Sequence, residues 1–289
     1  MNPTLFIHIP KAGGSSLVSI IEKQFKMNEI LVMYDVHYAW PYKTMYQYFD
    51  IHPKRRAQTK MIVGHFAYNL HQYLNTESSY ITMLRNPVKR VISNYKHMKR
   101  TSSSNYTKSI QSMSLLDFVK AKNWHDLDNG QVRRLCGSEN EVHQVPIGEC
   151  TENMLTKAKE NLKNCLSVGI MEEFDKSILL FSKSLGWHDI SYSIKNAAPV
   201  NHDTNNDESE AIKLITDINR FDIELYEYAN ELFNTQLNNY KITDEQLQDY
   251  QNNNKKISKT KVLAENLNLN LRSKKRAINK RLRNLICPF

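Results

Sequence analysis

The sequence predicts an α/β fold in which a central parallel β-sheet is flanked by helices and followed by a basic, helical C-terminal extension. Three observations carry that expectation. Short apolar runs alternate with segments of helical periodicity, each run stops at polar or Gly/Pro residues, and hairpin signals are few, so the strands must return through crossover helices. The composition agrees: of 289 residues 40% are hydrophobic and 24% charged, with only 8 glycines and 8 prolines, which excludes collagenous, low-complexity and wholly disordered chains.

In chain order, Leu5-Phe6-Ile7-His8-Ile9 is an apolar run ended by Pro10 and reads as a buried strand. From Ser16 onward, Leu17, Val18, Ile20, Ile21 and Phe25 recur at helical spacing. Met61 to Gly64 is a second strand leading into His65, and Tyr80 to Leu84 a third, running into Arg85-Asn86-Pro87. Pro87 suits a first helical turn and Asn86 an N-cap, and Val88, Val91, Ile92, Tyr95 and Met98 continue the helix. Cys165 to Val168 is a fourth strand, followed by Gly169 and a helix marked by Phe174, Ile178, Leu179, Phe181 and Leu185. The polar stretch 196–210 reads as a loop. One helix carrying Ile212, Ile215, Ile218, Leu225, Tyr228, Ala229 and Leu232 then closes the domain near Asn234. The asparagine runs 238–239 and 252–254 read as solvated connections. The expected division is a domain over 1–240 and an extension over 241–289.

The net charge of +9 is uneven along the chain. Residues 251–289 hold eleven Lys or Arg against the single acid Glu265, a balance of +10 that leaves −1 for residues 1–250. The body is therefore electrostatically neutral, and any basic patch in it must be local. In the tail, Leu263, Leu267, Leu271, Ile278, Leu282 and Leu285 recur at helical spacing. That pattern fits an amphipathic helix on an anionic membrane surface, a solvated extension, or a helix packed on its own domain, with nucleic acid the weaker reading. No apolar run reaches the roughly 18 residues of a membrane span, and the stretch after Met1 lacks a basic lead, so no signal peptide and a cytoplasmic location are expected. The four cysteines form no CxxC pair, which points to a reducing compartment without a structural zinc. No HExxH, HxxEH or paired-Asp pattern is present, so no metal is expected.

The most informative segment is His8-Ile9-Pro10-Lys11-Ala12-Gly13-Gly14-Ser15-Ser16, between a strand and a helix. Glycines admit backbone N–H groups to an anion, hydroxyls add donors, the helix N-terminus adds partial positive charge and Lys11 a full one. The lysine precedes the glycines, whereas the nucleotide-binding pattern GxxxxGK[ST] places it after them, which weakens an ATPase or kinase reading. An ordinary Gly-rich turn with a solvated lysine is the alternative.

Together with Gly64-His65-Phe66, the run Arg85-Asn86-Pro87-Val88-Lys89-Arg90-Val91-Ile92-Ser93-Asn94-Tyr95 and Val168-Gly169-Ile170-Met171-Glu172-Glu173-Phe174, this loop resembles the sulfotransferases, in particular the group of heparan sulfate 2-O-sulfotransferase and its bacterial relatives. The resemblance spans about residues 5–235. It implies a P-loop-like sulfotransferase fold and 3′-phosphoadenosine 5′-phosphosulfate as donor, with no metal. It further implies that Lys11 stabilises charge on the leaving phosphate, that Ala12, Gly13, Gly14, Ser15 and Ser16 cradle the 5′ group, and that Arg85 and Ser93 bind the 3′-phosphate. Lys195 falls where related enzymes close a late loop over the nucleotide. His65 is the expected general base, its ordinary pKa near 6.5 suiting proton removal from an acceptor hydroxyl. Asn129 and Arg133, in a stretch similar to one in bacterial sulfotransferases, are expected to face the acceptor or support the donor. Cys136 and Cys150 lie where the secreted relatives carry a bridged pair, yet free thiols are expected here.

The acceptor is expected to bear a hydroxyl, most simply on a carbohydrate. The segment 34–60 mixes Tyr34, Tyr38, Trp40, Tyr42, Tyr46, Tyr48 and Phe49 with Lys54, Arg55, Arg56 and Lys60, suited to stacking on sugar rings or equally to helix packing. Two other readings stand beside the sulfotransferase: a nucleotide-dependent kinase, and a non-catalytic nucleotide-binding module whose tail holds a partner.

Overall fold

The computed structural model describes residues 2–34, 51–74, 76–100, 105–121, 124–137, 145–192 and 206–256. Five strands, β1 (Thr4–Ile7), β2 (Ile30–Met33), β3 (Met61–Gly64), β4 (Ser79–Leu84) and β5 (Ser167–Ile170), form one sheet in the order β2-β3-β1-β4-β5. Every pairing is parallel. Such strands are covered on both faces and so read as continuous apolar runs; β1, β3 and β5 are buried or nearly so throughout.

The helices are α1 (Gly14–Gln24), α2 (Pro53–Ala57), α3 (Pro87–Arg100), α4 (Asn105–Ser112), α5 (Leu115–Lys120), α6 (Gly130–Leu135), α7 (Glu152–Lys163), α8 (Phe174–Leu185), α9 (Asn206–Ile218) and α10 (Arg220–Asn239). A further helix runs over 244–256. Side chains alternate across the sheet as the pleat requires. Leu5 and Ile7 pack with Leu155, Ala158 and Leu162 of α7 and Leu225, Ala229 and Phe233 of α10. Phe6 turns to the opposite layer, with Leu17, Ile20 and Ile21 of α1 and Ile178 and Phe181 of α8. A third cluster joins α3, α4, α5 and α9 through Val91, Met98, Ile110, Phe118 and Ile215.

Register places the site. Ile7 pairs with both Gly64 and Thr82, and Leu84 with Ile170. The residues that follow β1, β3 and β4, namely His8, His65 and Arg85, therefore emerge along one carboxyl edge. Because the chain leaves β1 toward β2 and β3 on one side and β4 and β5 on the other, a crevice opens at β1, the switch point where ligands of open α/β sheets bind.

Five sequence expectations shift. The edge strand β2 was not foreseen; its four-residue run is short and leaves Val32 55% exposed. The fourth strand starts two residues later than expected, since Cys165 belongs to the turn that ends α7, its N–H donating to the Leu162 carbonyl. The single helix expected through 212–232 is two, broken at Asn219, whose side-chain amide donates to the carbonyls of Leu127 and Ile215 and so competes with the helical ladder. Residues 206–210 already belong to α9, and residues 252–254 are helical rather than a solvated connection.

That last helix is bound to the body. Tyr250 is buried in the layer with Phe181, its hydroxyl donates to the Ile190 carbonyl at 2.9 Å, Gln251 donates to Asp175 at 2.9 Å, and Asn254 accepts the Tyr192 N–H at 2.9 Å. The folded unit thus continues past residue 240 to 256. The amphipathic tail of 257–289 and most of the aromatic segment after Tyr34 lie outside the described residues.

Candidate active site

The loop after β1 is shaped by residues that give up side chains or adopt unusual backbone. Lys11 has φ 67° and Gly13 φ 79°, both left-handed, a conformation that suits Gly13 and strains Lys11. A Cβ on Gly14 would lie 1.9 Å from His8 Nε2, and one on Gly13 2.3 Å from Met171 Sδ. The glycines therefore let the loop close down between the His8 ring and the turn after β5. The N-terminus of α1 has no side-chain cap, and while the Ser16 N–H donates to the Gly13 carbonyl at 3.1 Å, the N–H groups of Gly14 and Ser15 are open to an anion.

Positive charge gathers over this loop. Burial lowers the Lys11 pKa from its usual value, and the fields of Arg100 and Arg85 lower it further. Arg85 Nη1 donates to the Lys11 carbonyl at 2.9 Å, while its buried Nε has no partner. Cations gathered in a partly buried loop favour an anionic ligand, and Glu172 is the acid that stands in the field of Arg85. Ser93 lies half-buried midway along α3. His97, one turn further on α3, has its pKa lowered by burial, then by Lys11 and Arg100, which places it and Arg100 in the same field.

His65 emerges from β3 behind Gly64, where a Cβ would meet the Met33 carbonyl oxygen at 2.1 Å. Its Nδ1 lies 2.6 Å from the backbone carbonyl of His8. A carbonyl can only accept, so Nδ1 carries the hydrogen and, in the neutral ring, Nε2 carries the lone pair. Burial pulls the His65 pKa below 6.5, helped by Arg134 and opposed by the His8 hydrogen bond and Asp126. The His8 ring lies 4.7 Å from that of His65, and Tyr34 Oη lies 2.7 Å from His8 Nδ1. Burial, then His65, Arg134 and Lys11, push the His8 pKa down to about 3, so His8 is neutral at any working pH. Asp126 is driven down to about 2: burial opposes ionisation, but Arg134 and Arg90 outweigh it.

Of the residues singled out in the sequence, the structure brings Lys11, the 12–16 loop, Arg85 and His65 to one edge. Lys195 lies outside the described residues. Asn129 and Arg133 stand apart from that edge. Both are buried, and their polar atoms are committed internally. Asn129 Oδ1 accepts the N–H groups of Phe221 and Asp222 at 3.0 Å, capping α10, and its Nδ2 donates to Asp128 and to the Ile218 carbonyl. Arg133 donates to the Asp128 carboxylate and to the carbonyls of Asp128, Val145 and Pro146. Of the two expected roles, these bonds agree with support of the turn behind Arg85. Cys136 and Cys150 are buried thiols.

Sequence reasoning overlooked Gln131, Asp126, Arg134, His97 and Arg100. The last two stand four and seven residues beyond Ser93 on one helix, a spacing that could have flagged them. Glu172, inside a quoted motif, accepts the Asn86 N–H and the Tyr226 hydroxyl. Among the described residues no group of His, Cys, Asp and Glu is arranged to hold a metal ion, and no helix is long and apolar enough to cross a membrane.

Comparison with known proteins places these features. A family model described as "Sulfotransferase family" matches residues 2–229. The chain is 30% identical over 183 residues to heparan-sulfate 6-O-sulfotransferase 2 of Gallus gallus (53% of this chain, 44% of that protein). It is 29% identical over 183 residues to heparan-sulfate 6-O-sulfotransferase 3 of Homo sapiens (53% and 37%). These relatives are named for the 6-O position, where the motif resemblance was drawn to the 2-O group, and the chain spans less than half of their length. Among solved structures, a sulfotransferase from Alicyclobacillus acidocaldarius aligns over 78% of this chain and 96% of its own with 15% identity and a TM-score of 0.39. Mouse sulfotransferase SULT7A1 complexed with PAP aligns over 76% and 66% with 14% identity and a TM-score of 0.33. With the family model covering the sheet, the Gly-rich loop, His65 and Arg85 together, the chain belongs to the sulfotransferase family.

Proposed function

We propose that this protein transfers a sulfuryl group from 3′-phosphoadenosine 5′-phosphosulfate to a carbohydrate hydroxyl by direct in-line displacement. The observation that carries the reading is His65: its Nδ1–H is committed to the His8 carbonyl, which turns Nε2 into an acceptor beside a glycine-lined cationic loop. The site residues fit the donor. Gly13 and Gly14 let the loop pack against His8 and Met171 and turn its backbone N–H groups outward, and Arg85 keeps a buried Nε without a partner. The donor supplies the activated sulfuryl group together with a phosphate leaving group.

Each residue then has a separable task. The 12–16 loop and the first turn of α1 hold the 5′ group, and Arg85 with Ser93 holds the 3′-phosphate. His65 Nε2 takes the proton of the acceptor hydroxyl. The Lys11 ammonium stabilises negative charge on the departing phosphate. Such chemistry rests on positioning and electrostatics, as in phosphoryl transfer. The exposed Lys89, Lys96 and Arg100 on α3 beside this edge suit an acceptor bearing negative charge. For the tail of 251–289, adsorption to an anionic inner-membrane surface from the cytoplasmic side is the reading that its basic, leucine-spaced sequence supports. Unchanged sedimentation with anionic liposomes after its removal would dismiss that part alone.

The test is transfer of labelled sulfuryl from the donor to a panel of neutral and acidic glycans, in wild type and His65→Ala. Transfer lost in the variant supports the reading. A wild type that binds the 3′,5′-bisphosphate yet transfers nothing to any acceptor points to the binding module, and a preference for ATP with magnesium points to the kinase.

A further inference from the structure

We infer that Gln131 is the positioning residue that sets Arg85 for the 3′-phosphate, held in place by Asp222 of α10. The inference rests on the donor-site reading of Arg85 above.

Arg85 stands one residue beyond the last pair of the ladder, Leu84 with Ile170, where a strand end would otherwise fray. The Gln131 carboxamide closes on it as a neighbouring peptide group would. Its Oε1 accepts the Arg85 N–H at 3.0 Å, and its Nε2 donates to the Arg85 carbonyl at 2.9 Å. A carboxamide offers both functions on one planar group, whatever the pH. Gln131 is fully buried, so water cannot stand in for either bond.

Its own backbone is fixed in turn. The Asp222 carboxylate accepts the N–H groups of Gln131 at 3.0 and 3.1 Å and of Val132 at 2.8 Å, at the start of α6. The same carboxylate pairs with Arg90 of α3 at 3.5 Å. Gly130 leaves room for that guanidinium, since a Cβ there would lie 2.8 Å from Arg90 Nη2. Arg90 shares α3 with Ser93, so one buried carboxylate references both proposed 3′-phosphate ligands to α10. With its backbone held by Gln131 and Nη1 held by the Lys11 carbonyl, the Arg85 guanidinium has a fixed direction and a free Nε. Binding selectivity depends on such orientation of a planar donor fork.

The experiment compares dissociation constants for adenosine 3′,5′-bisphosphate and 5′-AMP, with donor KM and kcat, in wild type and Gln131→Met. The expected result is a preference for the bisphosphate reduced about tenfold, the equivalent of about 1.4 kcal/mol, with AMP affinity, kcat and the pH profile set by His65 unchanged. If Gln131→Met does not fold, the isosteric Gln131→Glu carries the same comparison, because it keeps the acceptor and loses the donor. An unchanged preference, or an equal loss of affinity for both ligands, overturns the inference and leaves Gln131 a structural residue. A wild type without any preference for the bisphosphate instead refutes the donor reading of Arg85, and the inference falls with it.

Discussion

Two polar clusters meet at the carboxyl end of this sheet, and they obey opposite rules. In the lower one, Asp128, Asn129, Gln131, Arg133, Asn219 and Asp222 are buried and bonded to one another or to backbone. In the upper one, the Lys11 ammonium faces Arg85 and Arg100, the Arg85 Nε has no partner and the first turn of α1 has no side-chain cap. Charge alone does not separate the two, since each holds arginines. Satisfaction does: groups whose bonds close within the chain are scaffold, and groups left open are for a ligand. Arg90 is the lower cluster's exception, with Nε and Nη1 unpartnered against Gly130.

The strongest contrast is in activity against stability. His65→Ala should lower kcat by about 10²–10⁴ while costing less stability than Asp222→Ala, as steady-state kinetics and urea unfolding together would show. In the wild type, burial and Arg134 hold the His65 pKa below 6.5. The base is then neutral at and above pH 6.5, and kcat/KM should fall only as pH drops below that value. An acid limb centred above 6.5 would mean that another group limits the reaction.

Asp222→Ala should do the reverse. Removing one side of a buried, hydrogen-bonded pair costs about 3–5 kcal/mol, read by urea unfolding, and here it also releases the start of α6. A loss under 1 kcal/mol would remove Asp222 from the scaffold role.

The C-terminal region sharpens the same rule. A chain ended after residue 240 should be less stable to urea than one ended after 256, because it discards the buried Tyr250, worth about 1.5–3 kcal/mol, with the bonds to Ile190, Tyr192 and Asp175. Equal stability of the two truncations would contradict the packing.

The smallest effect expected is at Asn129, which has a left-handed φ of 49° and caps α10. Asn129→Ala should cost about 1–2 kcal/mol and leave acceptor KM as it was. A raised acceptor KM without loss of stability would return Asn129 to the binding surface.

How much of this the sequence disclosed follows the same division. The Gly-rich loop, His65 and Arg85 were legible because strand ends and glycine-bearing turns are local signals, and three of the four expected strands kept their places. The lower cluster was not. Asn129 and Arg133 stood out by motif as residues to face the acceptor or support the donor, while Gln131 between them had no role assigned. Whether a polar side chain is spent internally depends on partners about 90 residues away, Asn219, Phe221 and Asp222, which no local pattern reports. The break at Asn219 escaped notice for the same reason, since its amide serves Leu127 across the fold.

The most direct measurement is calorimetric titration of wild type and Arg85→Ala with adenosine 3′,5′-bisphosphate and with 5′-AMP. The account predicts selective binding of the bisphosphate by wild type and loss of that selectivity in Arg85→Ala, with AMP affinity retained. Equal affinities for the two ligands in wild type, or a selectivity that survives the substitution, would contradict it.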